Sequence, residues 1–269
     1  MNKEDKNNRL IKPLTPRPSQ DPGFWGKIQT VNPDTNRLFE AIIGENNFVG
    51  VQWLYNAVEA SKKVGQVIKN GRVSGTTFLV DQNLALTNNH IFEDVKQATN
   101  SYARFDYIDD PNANQIKFKR WKFLPDKFFQ TNEKLDYSLV FIETLEEDGE
   151  EGNRGFLRLT DQYQNPEING SINIIQHPRG EALQIVFRDN QLKKVTDNVL
   201  AYLTDTEYGS SGSPVFDDRF QVIGIHSHRK KDPNSDATDG TQWYRNVGFR
   251  MDKIYSEIEE FLSYNQRKR

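Results

Sequence analysis

Between residues 64 and 250 the apolar positions come in short alternating or β-branched runs, each closed by Gly, Asn, Asp or Pro and hardly ever at helical spacing. Alternation with a period of two sends successive side chains to opposite faces of a strand, so these runs predict sheet. The predicted strands are 64–69, 72–80, 84–87, 102–107, 115–123, 137–143, 171–176, 183–188, 199–203, 221–227 and 243–249. The first two flank Asn70–Gly71, a pair suited to the tight hairpin turn whose central residues both need positive φ. Many short strands with little helix between them favour an antiparallel barrel or sandwich over a parallel βαβ sheet.

Helical spacing is confined to the two ends. Leu38, Phe39, Ile42 and Ile43 recur three to four apart and stop at Gly44, a helix over 36–43 with a glycine C-cap. Val51, Leu54, Tyr55 and Val58 share one face of a second predicted helix, 51–63. At the other end Ile254, Ile258, Phe261 and Leu262 make an amphipathic helix over 251–262, expected to pack on the β domain. Residues 1–30 carry Pro13, Pro16, Pro18 and Pro22 among polar neighbours and read as an irregular or disordered arm. The expected organisation is an arm at 1–30, a helical extension at 31–63 and a β-rich domain at 64–269.

Composition changes this picture little. Of 269 residues 35% are hydrophobic, a low share, but 12% are aromatic, and each buried ring removes a large area from water. A net charge of -3 argues against bulk capture of nucleic acid or of an anionic membrane, and the closing Arg267–Lys268–Arg269 reads as a solvated tail. There is no cysteine, which fits a reducing compartment or a bacterial source. Met1 to Arg9 are polar with no apolar segment behind them, and no run is long enough to span a bilayer. A soluble, cytoplasmic protein is the expectation.

Three segments carry chemistry. A serine hydroxyl is a poor nucleophile until a positioned imidazole takes its proton, and the imidazole needs a carboxylate to hold its tautomer. Gly75-Thr-Thr-Phe-Leu-Val80 followed by Leu86-Thr-Asn-Asn-His-Ile91 places His90 just past a strand. Leu135-Asp-Tyr-Ser-Leu-Val140 places Asp136 at the mouth of another; Asp110 and Asp126 lie nearby but do not lead directly into a strand. Gly209-Ser-Ser-Gly-Ser-Pro214 is a turn of small residues able to expose a hydroxyl and aim consecutive N–H groups at one point, as an oxyanion hole requires. Alone, each segment also has a bland reading, a polar turn or a satisfied core histidine.

Two other chemistries fit less well. The nucleophile elbow of the α/β-hydrolases is Gly-x-Ser-x-Gly with acid and base downstream, whereas position 213 is serine and helices do not alternate with strands. His226 and His228 could share a metal from one strand face, but no third ligand has sensible spacing, so neither metal nor cofactor is expected. His177, in a turn before Pro178, suits a structural role.

Taken in order, the three segments resemble the histidine, aspartate and serine blocks of the trypsin/chymotrypsin superfamily, particularly its bacterial branch, over 75–250. The resemblance implies a mainly β fold of two packed antiparallel six-stranded barrels, with the N-terminal helices and the C-terminal helix added. It implies a serine endopeptidase acting on protein or peptide through an acyl-enzyme, with His90, Asp136 and Ser211 as triad and the amides of Gly209 and Ser211 as oxyanion hole. It places Asp205, Thr206 and His226 around the S1 pocket. Thr206 with Gly-Ile-His226 resembles the glutamyl endopeptidases and the viral chymotrypsin-like proteases, which cut after Glu or Gln, since histidine and a hydroxyl can donate to a carboxylate or amide. Asp205 at a pocket floor would suit Lys or Arg instead, so a basic P1 stays open behind the favoured acidic or amide one.

Trypsin zymogens mature when a freed N-terminus pairs with an aspartate just before the catalytic serine. That position here is Ser210, which carries no charge to receive an ammonium. Residues 1–62 are then the expected seat of control, docking on the protease or on a partner and gating access. The alternative is a protein that keeps the fold for binding and has lost the activity.

Overall fold

The computed structural model describes residues 49–109, 117–145, 154–160, 166–187, 190–231 and 244–267. The arm at 1–30, the helix expected at 36–43 and most of the extension at 31–63 lie outside them.

Helix α1 (Gln52–Ser61) leads into the first sheet. Its face bearing Val51, Leu54, Tyr55 and Val58 is exposed. The contacts run through Trp53, whose ring packs on Phe187 and Phe220, and through the buried Ala60.

The first barrel comprises β1 (Val64–Lys69), β2 (Arg72–Asp81), β3 (Leu84–Thr87), β4 (Ser101–Phe105), β5 (Lys119–Phe123), β6 (Phe129–Asn132) and β7 (Tyr137–Thr144). Its order is β3-β2-β1-β4-β5-β7-β6, and a further β3–β7 pairing closes six strands on themselves, with β6 attached outside on β7. A short helix, α2 (Val95–Ala98), capped by the Asp94 side chain, precedes β4. At the β1–β2 turn Asn70 and Gly71 have φ of 51° and 74°, the positive values the hairpin needs.

The second sheet holds β8 (Asn173–Gln176), β9 (Gln184–Val186), β10 (Gln191–Val195), β11 (Val199–Leu203), β12 (Pro214–Phe216), β13 (Val222–Lys231) and β14 (Tyr244–Arg250), in the order β10-β11-β14-β13-β12-β8-β9. It is half closed: a Ser171–Gln191 bridge and backbone bonds between 169–170 and Leu192 join β10 to the entry of β8. The result is the two-barrel, chymotrypsin-like architecture, one barrel complete and one partial. The chain ends in α3 (Met251–Arg267). Among the described residues no helix is long and apolar enough to cross a membrane.

Alternation along the strands explains the packing. In β7, Tyr137 and Leu139 face a core shared by both barrels and α3, while Val140 and Ile142 fill the first barrel. In β2, Phe78 and Val80 face the shared core and Leu79 the barrel interior. The shared core also takes Ile175, Phe216 and Ile225 from the second sheet and Met251, Ile254 and Ile258 from α3. Glu257 on α3 accepts hydrogen bonds from Tyr137, Gln130 and Asn132, through its side chain or its carbonyl, and so fastens the helix to the first barrel.

Ile258 is fully buried in the shared core. Ile258→Ala is expected to lower the free energy of unfolding by about 2–4 kcal/mol in urea titration, by lost burial and a residual cavity. A loss under about 0.5 kcal/mol would mean that α3 is not integral to the core.

Candidate active site

The first half of the site belongs to the closed barrel. After β3 the chain turns, the Asn88 carbonyl accepting from the amides of Ile91 and Phe92, both of whose side chains are buried. His90 is thereby left at the surface. Asp136 sits just before β7 with φ of 46°, a left-handed value that Asp tolerates better than most residues. Its backbone carbonyl accepts from Asn88 Nδ2 at 2.9 Å.

The Asp136 side chain is only 8% exposed and is ringed by donors. Oδ1 accepts the His90 backbone amide at 3.1 Å, and His90 Nδ1 lies 3.1 and 3.0 Å from the two oxygens. Oδ2 accepts the Ser227 hydroxyl at 2.5 Å. Burial alone would push this carboxyl up, but the His90 ring, the Ser227 hydroxyl and the His90 amide offset it and hold the group below its ordinary 3.8. An ionised carboxylate can only accept, so His90 Nδ1 carries a proton and Nε2 presents a lone pair. That imidazole can act as a base.

The second half is the turn between β11 and β12. Ser210 Oγ accepts the Glu207 amide at 3.0 Å, the Ser210 amide donates to the Glu207 carbonyl, and Ser213 donates to the Ser210 carbonyl. The Tyr208 carbonyl accepts the Arg179 amide at 2.5 Å from the one-turn 3-10 segment Pro178–Gly180. Because the peptide is planar and trans, the Gly209 N–H points the opposite way. Gly209 has φ of 95°, and a Cβ there would lie 2.5 Å from the His177 carbonyl oxygen, so only glycine fits. Thr76 on β2 grips the turn from the other barrel: its hydroxyl donates to the Gly209 carbonyl and its amide to the Ser211 carbonyl, each at 2.8 Å. The amides of Gly209 and Ser211 donate to no acceptor among the described residues. Two N–H groups two residues apart are thus left for an external oxygen.

Ser211 Oγ donates to the Ser227 carbonyl at 2.9 Å, and among the described residues no hydrogen bond joins it to His90. Ser227 therefore touches both halves, its hydroxyl on Asp136 and its carbonyl on Ser211. His228 Nδ1 lies 2.8 Å from the same Ser227 hydroxyl, which is committed to Asp136, so His228 donates there.

The residues expected around the S1 pocket separate. His226 is 3% exposed, its backbone bonded to Gly212 and Ser213, its Nδ1 2.8 Å from the Tyr202 hydroxyl. Burial pushes its imidazolium down to about 3, so the ring is neutral. Thr206 donates to Asn246 Oδ1 at 2.7 Å. Asp205 is an exposed residue, anchored by its carbonyl to Gln176 Nε2 at 3.0 Å. His177 is buried, bonded to the Glu181 carbonyl and stacked on Tyr107, with its imidazolium pushed down to about 4 by burial. The described residues contain no cluster of three side chains suited to a metal ion.

Thr76, Tyr202, Ser227, Asn246 and the Arg179 amide complete the arrangement without having stood out in the sequence. Ser227 alone had a local sign, a hydroxyl following Gly-Ile-His in a buried strand.

Residues 75–225 match the family described as the trypsin-like peptidase domain. The uncharacterized protein y4fB of Sinorhizobium fredii is 30% identical, over 84% of this chain and 40% of that protein. The chain thus spans less than half the length of that relative. The glutamyl endopeptidase of Staphylococcus epidermidis is 24% identical, over 73% of this chain and 69% of its own. Two solved structures share the fold. The inactive form of the Rv3671c protease has a TM-score of 0.51 at 12% identity, covering 76% of this chain and 91% of its own. The serine endoprotease from Yersinia pestis has a TM-score of 0.53 at 13% identity, covering 80% and 68%.

A carboxyl held below its unfolded value stabilises the fold above that value, and the contribution is lost as pH falls through the folded one. Urea titrations from about pH 5 to about pH 3 should therefore show a steeper loss of stability in wild type than in Asp136→Asn. Parallel losses would contradict the donor-ringed, ionised Asp136.

Proposed function

The chain belongs to the trypsin-like peptidase domain family, and on that premise we propose that it is a serine endopeptidase with Ser211 as nucleophile, His90 as general base and Asp136 as orienting carboxylate. The observation that carries the reading is a pair of unoccupied amides, Gly209 and Ser211, on a turn tied through Ser227 to the same carboxylate that holds His90.

In the proposed reaction Ser211 leaves the Ser227 carbonyl by one rotamer step, about 120°, and turns to His90 Nε2. Its oxygen attacks the scissile carbonyl while His90 takes the proton. Negative charge on the carbonyl oxygen is met by the two amides. Collapse breaks the C–N bond, His90 protonates the departing amine, and an acyl-Ser211 ester remains. Water, deprotonated by His90, then hydrolyses the ester and returns Ser211. Asp136 stays ionised throughout and stabilises the imidazolium.

Strand β12 pairs with β13 only as far as Ile225, so among the described residues one edge of β13 beyond that point has no strand partner. A substrate peptide added along this edge would be held by its backbone and would take over the Ser227 carbonyl. His226 and Thr206 support Glu or Gln at P1, whereas the exposed Asp205 gives less support to a basic one. The neutral bonds of Ser210 hold the turn where a trypsin-type enzyme would need an ammonium ion. Control would instead involve residues 1–62, whose helix α1 presents an exposed apolar face.

One observation favours the alternative of a catalytically silent binding protein, namely the Ser211 hydroxyl bonded to Ser227 instead of His90. A fluorophosphonate probe separates the two. Labelling of wild type, lost in Ser211→Ala, is expected, with kcat on a peptide substrate falling by about four orders of magnitude or more in that variant. An unlabelled wild type would support the silent protein.

A further inference from the structure

Of the three residues proposed to act together, Asp136 alone has a left-handed backbone, with φ of 46°. Such a conformation persists only where neighbouring groups hold it. The neighbours here belong to the turn between β6 and β7. Asn132, the last residue of β6, accepts the amides of Lys134 and Leu135 on Oδ1, at 2.8 and 3.1 Å. The Asp136 amide donates to the Glu133 carbonyl, and the Asp136 carboxylate meets the His90 ring. Tyr137, the first residue of β7, pairs with Asn132 across the ladder and is fully buried.

One side chain from α3 holds both ends of this turn. The two amides on Asn132 Oδ1 fix that end of the side chain as oxygen, so its other end is the donor. That donor, Nδ2, lies 3.0 and 2.9 Å from the two carboxyl oxygens of Glu257. The Tyr137 hydroxyl donates to Glu257 Oε2 at 2.7 Å. Gln130 Nε2 adds bonds to the same hydroxyl at 3.0 Å and to the Glu257 carbonyl at 3.3 Å. Bonds to an ionised acceptor are the stronger kind, and here they fall on residues 132 and 137, on either side of Asp136. Glu257 itself is exposed and makes no hydrogen bond to His90, Asp136 or Ser211 among the described residues.

We infer that Glu257 is a positioning residue for Asp136, acting through Asn132 and Tyr137, so that the aim of His90 is set from the C-terminal helix. Without the Glu257 carboxylate, Asn132 Nδ2 and the Tyr137 phenol both lose their acceptor, and a phenol carried by a buried residue does not go unpaired cheaply. The side chains that brace the turn then rearrange, and its left-handed residue relaxes. Asp136 leaves the place where both of its oxygens lie about 3 Å from His90 Nδ1. The imidazole loses the acceptor that keeps its proton on Nδ1 and its lone pair on Nε2.

The role in turnover rests on the peptidase reading, so one arm of the test needs no turnover. Nitrogen NMR of the neutral His90 ring, in Ser211→Ala protein, shows which ring nitrogen carries the proton. It is expected on Nδ1, and adding Glu257→Ala should move the ring toward the tautomer mixture of a free imidazole. Adding Leu262→Ala instead, which takes a core side chain from the same helix but no hydrogen bond from the turn, should leave the proton on Nδ1. In the turnover arm, Glu257→Ala should lower kcat on a peptide substrate by about ten- to a hundredfold, with KM changed by less than about twofold. Leu262→Ala should keep kcat at a temperature where circular dichroism shows both variants folded. The inference is overturned by an unmoved tautomer in Glu257→Ala, by an equal response to Leu262→Ala, or by an unchanged kcat in a protein that the fluorophosphonate labels. A tautomer shift specific to Glu257→Ala, in a protein that the probe does not label, would sustain the positioning role and remove the peptidase reading.

Discussion

A carboxylate as buried as that of Asp136 either collects donors or gives up its charge, and the rest of the site is arranged around the first outcome. Its donors come from both barrels. His90 arrives from the turn after β3, held at its base by Ile91 and Phe92, and Ser227 arrives from β13. Ser227 is flanked by His226, whose backbone pairs with Gly212 and Ser213, so one buried charge relates His90, the turn at 207–213 and His226. The left-handed backbone of Asp136 is the local cost, and the Asn88 amide on its carbonyl helps to hold it.

Thr76 does for the turn at 207–213 what Ser227 does for the carboxylate. It is fully buried, and it meets Gly209, Ser211 and the His177 amide, joining β2 to two loops of the second barrel. With the Arg179 amide on the Tyr208 carbonyl, these neutral bonds orient the Gly209 N–H. A buried ammonium–carboxylate pair would have to overcome the desolvation of two ions to do the same. Neutral locks avoid that cost, which is why a serine at 210 is compatible with a formed turn.

What could be read along the chain follows from burial. Strands β2 and β7 are covered on both faces and show it in the apolar runs Phe78–Val80 and Leu139–Ile142, and Asn70–Gly71 marks its hairpin by conformational need. Strand β6, Phe129-Gln-Thr-Asn132, is only half-buried throughout, and β10, Gln191-Leu-Lys-Lys-Val195, buries Leu192 alone. Both lie at sheet ends, where the hydrophobic pattern fades, and both were missed. The half-open second barrel was likewise invisible, since closure depends on single contacts such as Ser171–Gln191. His90, Asp136 and Ser211 lie in local motifs. Their supporters meet them across long separations, Ser227 to Asp136 over 91 residues and the Thr76 amide on β2 to the Ser211 carbonyl, which no local pattern records. The spacing from Ser211 fixes where Asp205 stands along the chain but not its exposure, because the Gln176 bond to its carbonyl sets the backbone there.

The proposed chemistry requires the turn at 207–213 to be a preformed oxyanion site facing His90. A crystal structure of the fluorophosphonate adduct tests it most directly. Phosphorus is expected on Ser211 Oγ, with one phosphoryl oxygen about 2.7–3.1 Å from both the Gly209 and the Ser211 nitrogens. An adduct on another residue, or a phosphoryl oxygen turned away from both amides, would contradict it.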